Sequence, residues 1–266
     1  MKGDPHVESR HPRAESIRTR ERLTHHVGTK VVALAGLIAQ GRGEAFDYLL
    51  GEETTPASMK AITAAAAALI LAEHPVLSVN GNAAALCAEA LVRLSNTSGA
   101  MLEVNLFHRQ PGREEAIEAV LREAGAQEVL GVGEAASASI GEVFSDRRRV
   151  DPRGIYSADV VFVPLEDGDR TEGLVRMGKT VIAVDLNPLS RTAQYATITV
   201  VDNLIRAAPQ LVSEVERLKE RDENELRGIL SSYSNKEVLS MSMRIMERRL
   251  HALAEKGVYI EPDGKE

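Results

Sequence analysis

Four short polar clusters in this 266-residue sequence carry side chains able to grip phosphate, ribose or a cation. They are Asn80-Gly81-Asn82, then Glu166-Asp167-Gly168-Asp169-Arg170, then Asp185-Leu186-Asn187 with Arg191-Thr192, and finally Asp202-Asn203. Each follows a short run of apolar, mostly β-branched residues. Ligands of open parallel sheets bind at the carboxyl ends of the strands, where helix N-termini present free N–H groups. Any one cluster alone is also explained as a helix cap, through Asn82, through Asp169 with Glu172, through Asn187 before Pro188, or through Asp202 or Asn203. Capping does not require Arg170 and Arg191, and four clusters on one rim favour a binding site. Lys179 precedes its strand, which places it at the opposite rim as a solvated surface residue.

A second concentration of cations, Arg13, Arg18, Arg20 and Arg22, lies outside the strand-rich region, as does Arg42 within Gly41-Arg42-Gly43. Guanidinium groups suit bidentate phosphate binding, so a phosphorylated ligand is the functional reading. No G-x-x-x-x-G-K-[ST] occurs, which excludes a P-loop, and neither H-E-x-x-H nor paired cysteines point to catalytic zinc. His25-His26, His74 and His108 lack metal-ligand spacing. Gly131-Val132-Gly133 with Ala136, and Asp151 further on, imitates a dinucleotide fingerprint, but residues 137–150 make a poor helix.

The elements that must position these groups follow from period and punctuation. Runs at 76–79, 101–107, 128–132, 158–163, 180–184 and 197–201 have strand character. Helices are expected at 57–72 behind the Thr55-Pro56 start, and at 83–94, 113–123 and 169–177. The stretch 31–39 is apolar and is broken by Gly41-Arg42-Gly43 before a second amphipathic piece at 44–50. From 204 to 256 the chain is helical with breaks near Asp222 and Ser234. Short apolar runs alternating with helices indicate a doubly wound α/β core with a mostly parallel sheet, plus helical N-terminal and C-terminal segments. The expected organisation is a disordered tail at 1–10, a single α/β domain at 11–257, and a tail at 258–266. Within the domain, 11–74 form a helical section, 75–203 the core and 204–257 closing helices. The helical ends are expected to pack over the sheet and deliver side chains to its mouth.

Composition narrows the partners. A net charge of -7 and 3% aromatic residues argue against nucleic acid and membrane surfaces, which call for basic faces and, in single-strand binders, stacking platforms. No stretch is long and apolar enough to span a bilayer, and the opening lacks an apolar signal core. The one cysteine, Cys87, sits among alanines and leucines and reads as a small buried hydrophobe. A cytoplasmic protein is expected.

Several strings together resemble the archaeal phosphopantothenate synthetases, the 4-phosphopantoate–β-alanine ligases. They are His11-Pro12-Arg13, the segment from Ala35 through Gln40-Gly41-Arg42-Gly43-Glu44 to Leu49, Ser78-Val79-Asn80-Gly81-Asn82 and Glu103-Val104-Asn105-Leu106-Phe107. The series continues with Val163 through Glu172, Asp185 through Arg191, and Val201-Asp202-Asn203. The order and spacing run from about 11 to 257. The resemblance implies a Rossmann-like homodimer that condenses 4-phosphopantoate with β-alanine, using ATP and releasing AMP and pyrophosphate, for coenzyme A synthesis. It places Arg20, Arg42, Asp185, Leu186, Asn187, Arg191, Thr192, Asp202 and Asn203 at ATP. Asn80, Gly81, Asn82, Asp169 and Arg170 are then the substrate candidates, and Glu166, Asp167 or Asp169 the candidates for Mg2+. Gln40 stands where the family has His, so no histidine role carries over, and 131–150 match nothing in the pattern. Two other readings stay open, an NAD-dependent oxidoreductase built on 131–136 and a nucleotide sensor without turnover.

Overall fold

The computed structural model describes residues 13–165 and 168–257. The expected tails at 1–10 and 258–266, the His11-Pro12 pair, and Glu166 and Asp167 lie outside the described residues. Among the described residues the strands are β1 (Pro75–Val79), β2 (Met101–Val104), β3 (Ala138–Ser139), β4 (Arg149–Val150), β5 (Val160–Pro164), β6 (Thr180–Val184) and β7 (Ile198–Val200). The helices are α1 (Ala14–Gly28), α2 (Leu34–Leu50), α3 (Pro56–Leu71), α4 (Gly81–Ser98), α5 (Arg113–Glu123), α6 (Gly168–Arg176), α7 (Arg191–Tyr195), α8 (Leu204–Leu218), α9 (Glu223–Ser231) and α10 (Asn235–Lys256).

Five strands form one parallel sheet in the order β2-β1-β5-β6-β7, a doubly wound α/β arrangement. Side-chain alternation divides its two faces. Leu77, Val79, Phe162, Ile182, Val184, Ile198 and Val200 join a large cluster with α3, α4 and α8. Val76, Val161, Val163, Val181 and Ala183 pack on the other face with Leu174 of α6 and with Ile140, Val143 and Val150. The alanines of α3 let it lie close against α8, and Ala57, Ala61 and 64–67 are fully or almost fully buried.

The winding reverses between β1 and β5, which makes the carboxyl ends of these two strands the topological switch point. Asn80 ties the two together. Its Oδ1 accepts from Ala83 N at 3.0 Å to cap α4, while its Nδ2 donates to the carbonyls of Pro164 at 2.8 Å and Leu165 at 3.2 Å. Leu165 has φ 52°, a left-handed conformation that costs a branched residue free energy and is concentrated at functional sites.

Three expectations are corrected. Gly41-Arg42-Gly43 does not break the chain, because α2 is one helix from Leu34 to Leu50. Two glycines weaken it by roughly 1 kcal/mol each, and packing of Gly43 against Leu186 helps to offset this, with a Cβ there lying 3.5 Å from Leu186 Cδ1. Residues 128–132 form no strand: Leu130 makes a single parallel bridge to Glu103 before Gly131 turns left-handed at φ 79°. Lys179 does sit at the amino rim, but it is buried and not solvated. Its Nζ donates to the carbonyls of Tyr156 at 2.9 Å and Ala158 at 2.6 Å, and burial lowers its pKa.

The region that imitates a dinucleotide fingerprint takes other structure. The stretch 137–150 folds into the β3–β4 antiparallel pair with a 3-10 turn at Asp146–Arg148. The glycine-rich turn has no α-helix behind it, only a 3-10 turn at Gly133–Ala135, so the strand–turn–helix context of a dinucleotide fingerprint is missing. Among the described residues no helix is long and apolar enough to cross a membrane.

Candidate functional site at the carboxyl rim

Helix α2 lies across the mouth of the sheet, and three of its residues mark the path. At Gly36 an added Cβ would come within 2.3 Å of Asn82 Oδ1, and Asn82 Nδ2 donates to Gly36 O at 2.8 Å, just beyond β1. Gly43 meets Leu186 beyond β6. Asp47 meets Asn203 and Arg206 beyond β7. A helix rises about 17 Å from position 36 to 47, and β1 to β7 spans roughly 14 Å at ordinary strand spacing. The two lengths agree, so one face of α2 covers the ends of β1, β5, β6 and β7. Gln40, buried, lies on that face between Gly36 and Gly43. The C-terminal helix backs α2 from outside, with Arg249 Nε donating to Tyr48 O at 3.4 Å.

At the β7 end a buried charge network fastens the helix. Arg206 binds both oxygens of Asp47, Nη2 to Oδ1 at 2.5 Å and Nη1 to Oδ2 at 3.1 Å, and binds Asp202 Oδ1 through Nε at 3.0 Å and Nη2 at 2.7 Å. Asp202 also accepts from Thr54 Oγ1 at 2.6 Å and from Asn203 N at 2.7 Å. Burial pushes the Asp202 carboxyl up, against the pull of Thr54 and Arg206. Asn203 caps α8 and donates from Nδ2 to Asp47 Oδ2 at 2.9 Å. Neither Asp47 nor Arg206 was singled out from sequence, although Arg206 lies four residues after Asp202, where a helix brings the two together.

At the β6 end Asp185 accepts from Asn187 N at 2.9 Å and from the Ser190 hydroxyl, and Ser190 in turn caps α7 through Ala193 N. Burial raises the Asp185 pKa, while Ser190, Asn187 N and the positive charge of Arg42 oppose the rise. Arg42, exposed on α2, therefore acts on this strand end from above. Arg191 extends over Tyr195 and pairs with Glu172 at 2.8 Å and Asp169 at 3.3 Å, joining the starts of α6 and α7. Arg20 pairs with Glu44 of α2 at 3.0 Å, and the Tyr48 hydroxyl shares that carboxylate.

The structure thus gathers Asn80, Gly81, Asn82, Asp185, Leu186, Asn187, Asp202 and Asn203 along one rim, with Arg42 over it and Arg191 beside it. Leu186 and Thr192 are buried. Of the expected caps Asn203 does cap α8, whereas α4 and α7 are capped by Asn80 and Ser190. Arg170 lies beneath the rim, fully buried, with Nη1 on Ser78 Oγ at 3.0 Å. Near it Glu103, also fully buried, accepts from Ile155 N at 2.6 Å and Asp151 N at 3.1 Å. Among the described residues no three His, Cys, Asp or Glu side chains converge as a metal cage. Asp169 is the one Mg2+ candidate that can be placed, and it is exposed beside Arg191. Burial pushes the Cys87 thiol up to about 12, which removes it as a nucleophile.

A family model described as phosphopantothenate/pantothenate synthetase matches residues 57–249. A protein of Methanosarcina mazei is 50% identical over 244 residues, covering 92% of this chain and 95% of its own. One of Thermococcus kodakarensis is 47% identical over 250 residues, covering 94% and 95%. One of Methanospirillum hungatei is 49% identical over 219 residues, covering 82% and 87%. All three bear the name 4-phosphopantoate--beta-alanine ligase.

The buried carboxyl beneath the rim gives a pH signature. Burial pushes Glu103 up to about 7, against the pull of the two amides and Arg170. A carboxyl with a raised folded pKa binds more protons folded than unfolded, so its contribution to stability falls as pH rises through that window. Between about pH 4.5 and 7 the loss is on the order of 3 kcal/mol. Urea unfolding of Glu103→Gln across this range should lack that decline. A wild-type profile parallel to that of the variant would contradict the assignment.

Proposed function

Because the chain belongs to the phosphopantothenate/pantothenate synthetase family, we propose that it is an ATP-dependent ligase joining 4-phosphopantoate to β-alanine. The products are 4'-phosphopantothenate, AMP and pyrophosphate, on the way to coenzyme A. The observation that carries this reading is 50% and 47% identity, over 92% and 94% of the chain, to ligases of that name, together with a rim that offers Arg42, Asp185, Asn187 and Arg191 to a nucleotide.

A carboxylate oxygen of the acid attacks the α-phosphorus of ATP, and the bond to pyrophosphate breaks. The β-alanine nitrogen then attacks the acyl carbon, the bond to AMP breaks, and the amine proton leaves to solvent. No protein nucleophile is needed. The chain acts by alignment and by stabilising charge on the phosphates. In this reading ATP lies along the β6–β7 side of the rim under α2, against Asp185, Leu186, Asn187, Arg191 and Thr192, with Arg20 and Arg42 above. Asp202 and Asn203 complete the nucleotide side and also hold α2. The acid lies on the β1 side at Asn80, Gly81 and Asn82, with Arg170 supporting from below. Mg2+ would accompany the ATP phosphates and would need only one or two protein carboxylates, for which Glu166, Asp167 and Asp169 are the candidates. The enzyme works in the cytoplasm.

The active form is a homodimer. Leu34 and Ile38 stand 70% and 74% exposed on the outer face of α2, and Met241 and Met243 are partly exposed on α10. Apolar surface of this kind marks association. Light scattering at micromolar concentration should give twice the chain mass, and a monomeric mass would contradict this.

Supplying ATP, 4-phosphopantoate and β-alanine should yield AMP in step with phosphopantothenate. ATP binding without AMP release would instead indicate a sensor. Arg42→Ala should keep the circular dichroism spectrum and lower turnover by orders of magnitude, and Arg42→Lys should recover little, because an ammonium lacks the bidentate fork. A surface arginine would change stability by only about 0.5 kcal/mol and leave turnover near wild type.

A further inference from the structure

Three side chains converge on the carboxylate of Glu44, on α2, which the ligase reading leaves without a part. Glu44 lies one turn beyond Gln40, at the border of the α2 face that covers the strand ends. Its Oε1 accepts from the Ser16 hydroxyl, from Arg20 Nη2 at 3.0 Å and from the Tyr48 hydroxyl at 3.1 Å. Ser16 and Arg20 stand one turn apart on α1, and Glu44 and Tyr48 one turn apart on α2. Two i, i+4 pairs thus face each other across one oxygen. Burial alone would raise the Glu44 carboxyl, but the bonds from Ser16, Arg20 and Tyr48 hold it below its usual value. Glu44 is therefore ionised at neutral pH.

The ion pair itself adds little stability. The Arg20 side chain is 48% exposed and that of Glu44 19%, and solvent screens such a pair. Helix α1 is fixed independently, through Leu23 in the core and Thr19 buried one turn before it. What the carboxylate supplies is a direction for a long guanidinium side chain. Glu44 is the main cause that raises the Arg20 pKa, with Tyr48 adding to it. Arg20 reaches the carboxylate through Nη2, which leaves most of its N–H donors for an incoming anion. Ser16 and Tyr48 bind the same oxygen and keep Glu44 from turning away.

We propose that Glu44 is a positioning residue for the nucleotide, whose carboxylate holds Arg20 with its remaining donors toward the ATP phosphates. This assignment rests on the ligase reading for the identity of the anion. With Arg20 already directed, ATP binding does not have to order that side chain. The effect runs against simple electrostatics. A carboxylate beside a triphosphate repels it, so removing the charge would by itself tighten ATP binding. Removing the positioning loosens it.

Calorimetric titration of ATP into wild type, Glu44→Ala, Arg20→Ala and the double variant tests it. Glu44→Ala should weaken ATP binding about three- to tenfold, the effect of leaving one long side chain to be ordered. The KM for 4-phosphopantoate and β-alanine should stay within about twofold, since neither meets Arg20 in this reading. In the Arg20→Ala background the same change should alter ATP affinity by less than about twofold, because Glu44 acts through Arg20. Tighter ATP binding by Glu44→Ala, an equal loss in both backgrounds, or an Arg20→Ala variant that binds ATP as wild type does would overturn the assignment. Where circular dichroism shows that Glu44→Ala does not fold, Glu44→Gln takes its place in the same cycle. If wild type binds ATP but forms no phosphopantothenate, the ligase reading fails on its own and the cycle still judges Glu44. A wild type that does not bind ATP overturns the assignment.

Discussion

The bond between Arg206 of α8 and Asp47 of α2 is the constraint on which the rim depends. Only 16% of the Arg206 side chain and 6% of the Asp47 side chain are exposed, and Asp202 shares the same guanidinium. Breaking such a buried pair by removing one partner commonly costs about 3–5 kcal/mol, because the other charge is left without compensation. The gain from forming it is smaller, so its value lies in placement. It fixes one end of α2, and the Asn82–Gly36 bond fixes the other. Between these two anchors the helix has no freedom to slide, and Gln40, Arg42 and Gly43 take set positions over the strand ends.

With α2 in place, the rim divides into two electrostatic halves. The β6–β7 half carries carboxylates, Asp185 and Asp202, both pushed up by burial, with Arg42 acting on Asp185 and Arg206 on Asp202. The β2–β1 half carries Arg113, whose guanidinium donates to the carbonyls of Lys30, Val31 and His108. The switch point lies between, spanned by Asn80, where the left-handed Leu165 brings its carbonyl under the Asn80 amide.

Much of this was legible in the sequence. Apolar runs of β-branched residues marked β1, β5, β6 and β7, and the clusters after them proved to share one rim, because parallel strands place their carboxyl ends together. The two glycines around Arg42 misled. Local propensity predicts a break, whereas packing of Gly43 on Leu186 and the fastening of Asp47 keep the helix whole. Lys179 misled for a related reason, since a lysine before a strand reads as solvated unless one knows that two carbonyls wait for its ammonium. The strand expected at 128–132 stops at one bridge because the backbone turns left-handed at Gly131, close against Val104 O where a Cβ would not fit, a contact invisible in sequence. Arg113 reaches the carbonyls of Lys30 and Val31, positions far apart in the chain, and no local pattern announces it.

Hydrogen exchange followed by mass spectrometry, on wild type and Asp47→Ser with and without ATP, tests the fastening of α2 most directly. The variant should lose protection in peptides covering 34–50 while the sheet strands keep theirs, and its ATP affinity should fall. Unchanged protection of α2 together with unchanged ATP affinity would show that the Arg206–Asp47 bond does not hold the helix over the rim, and would contradict the account.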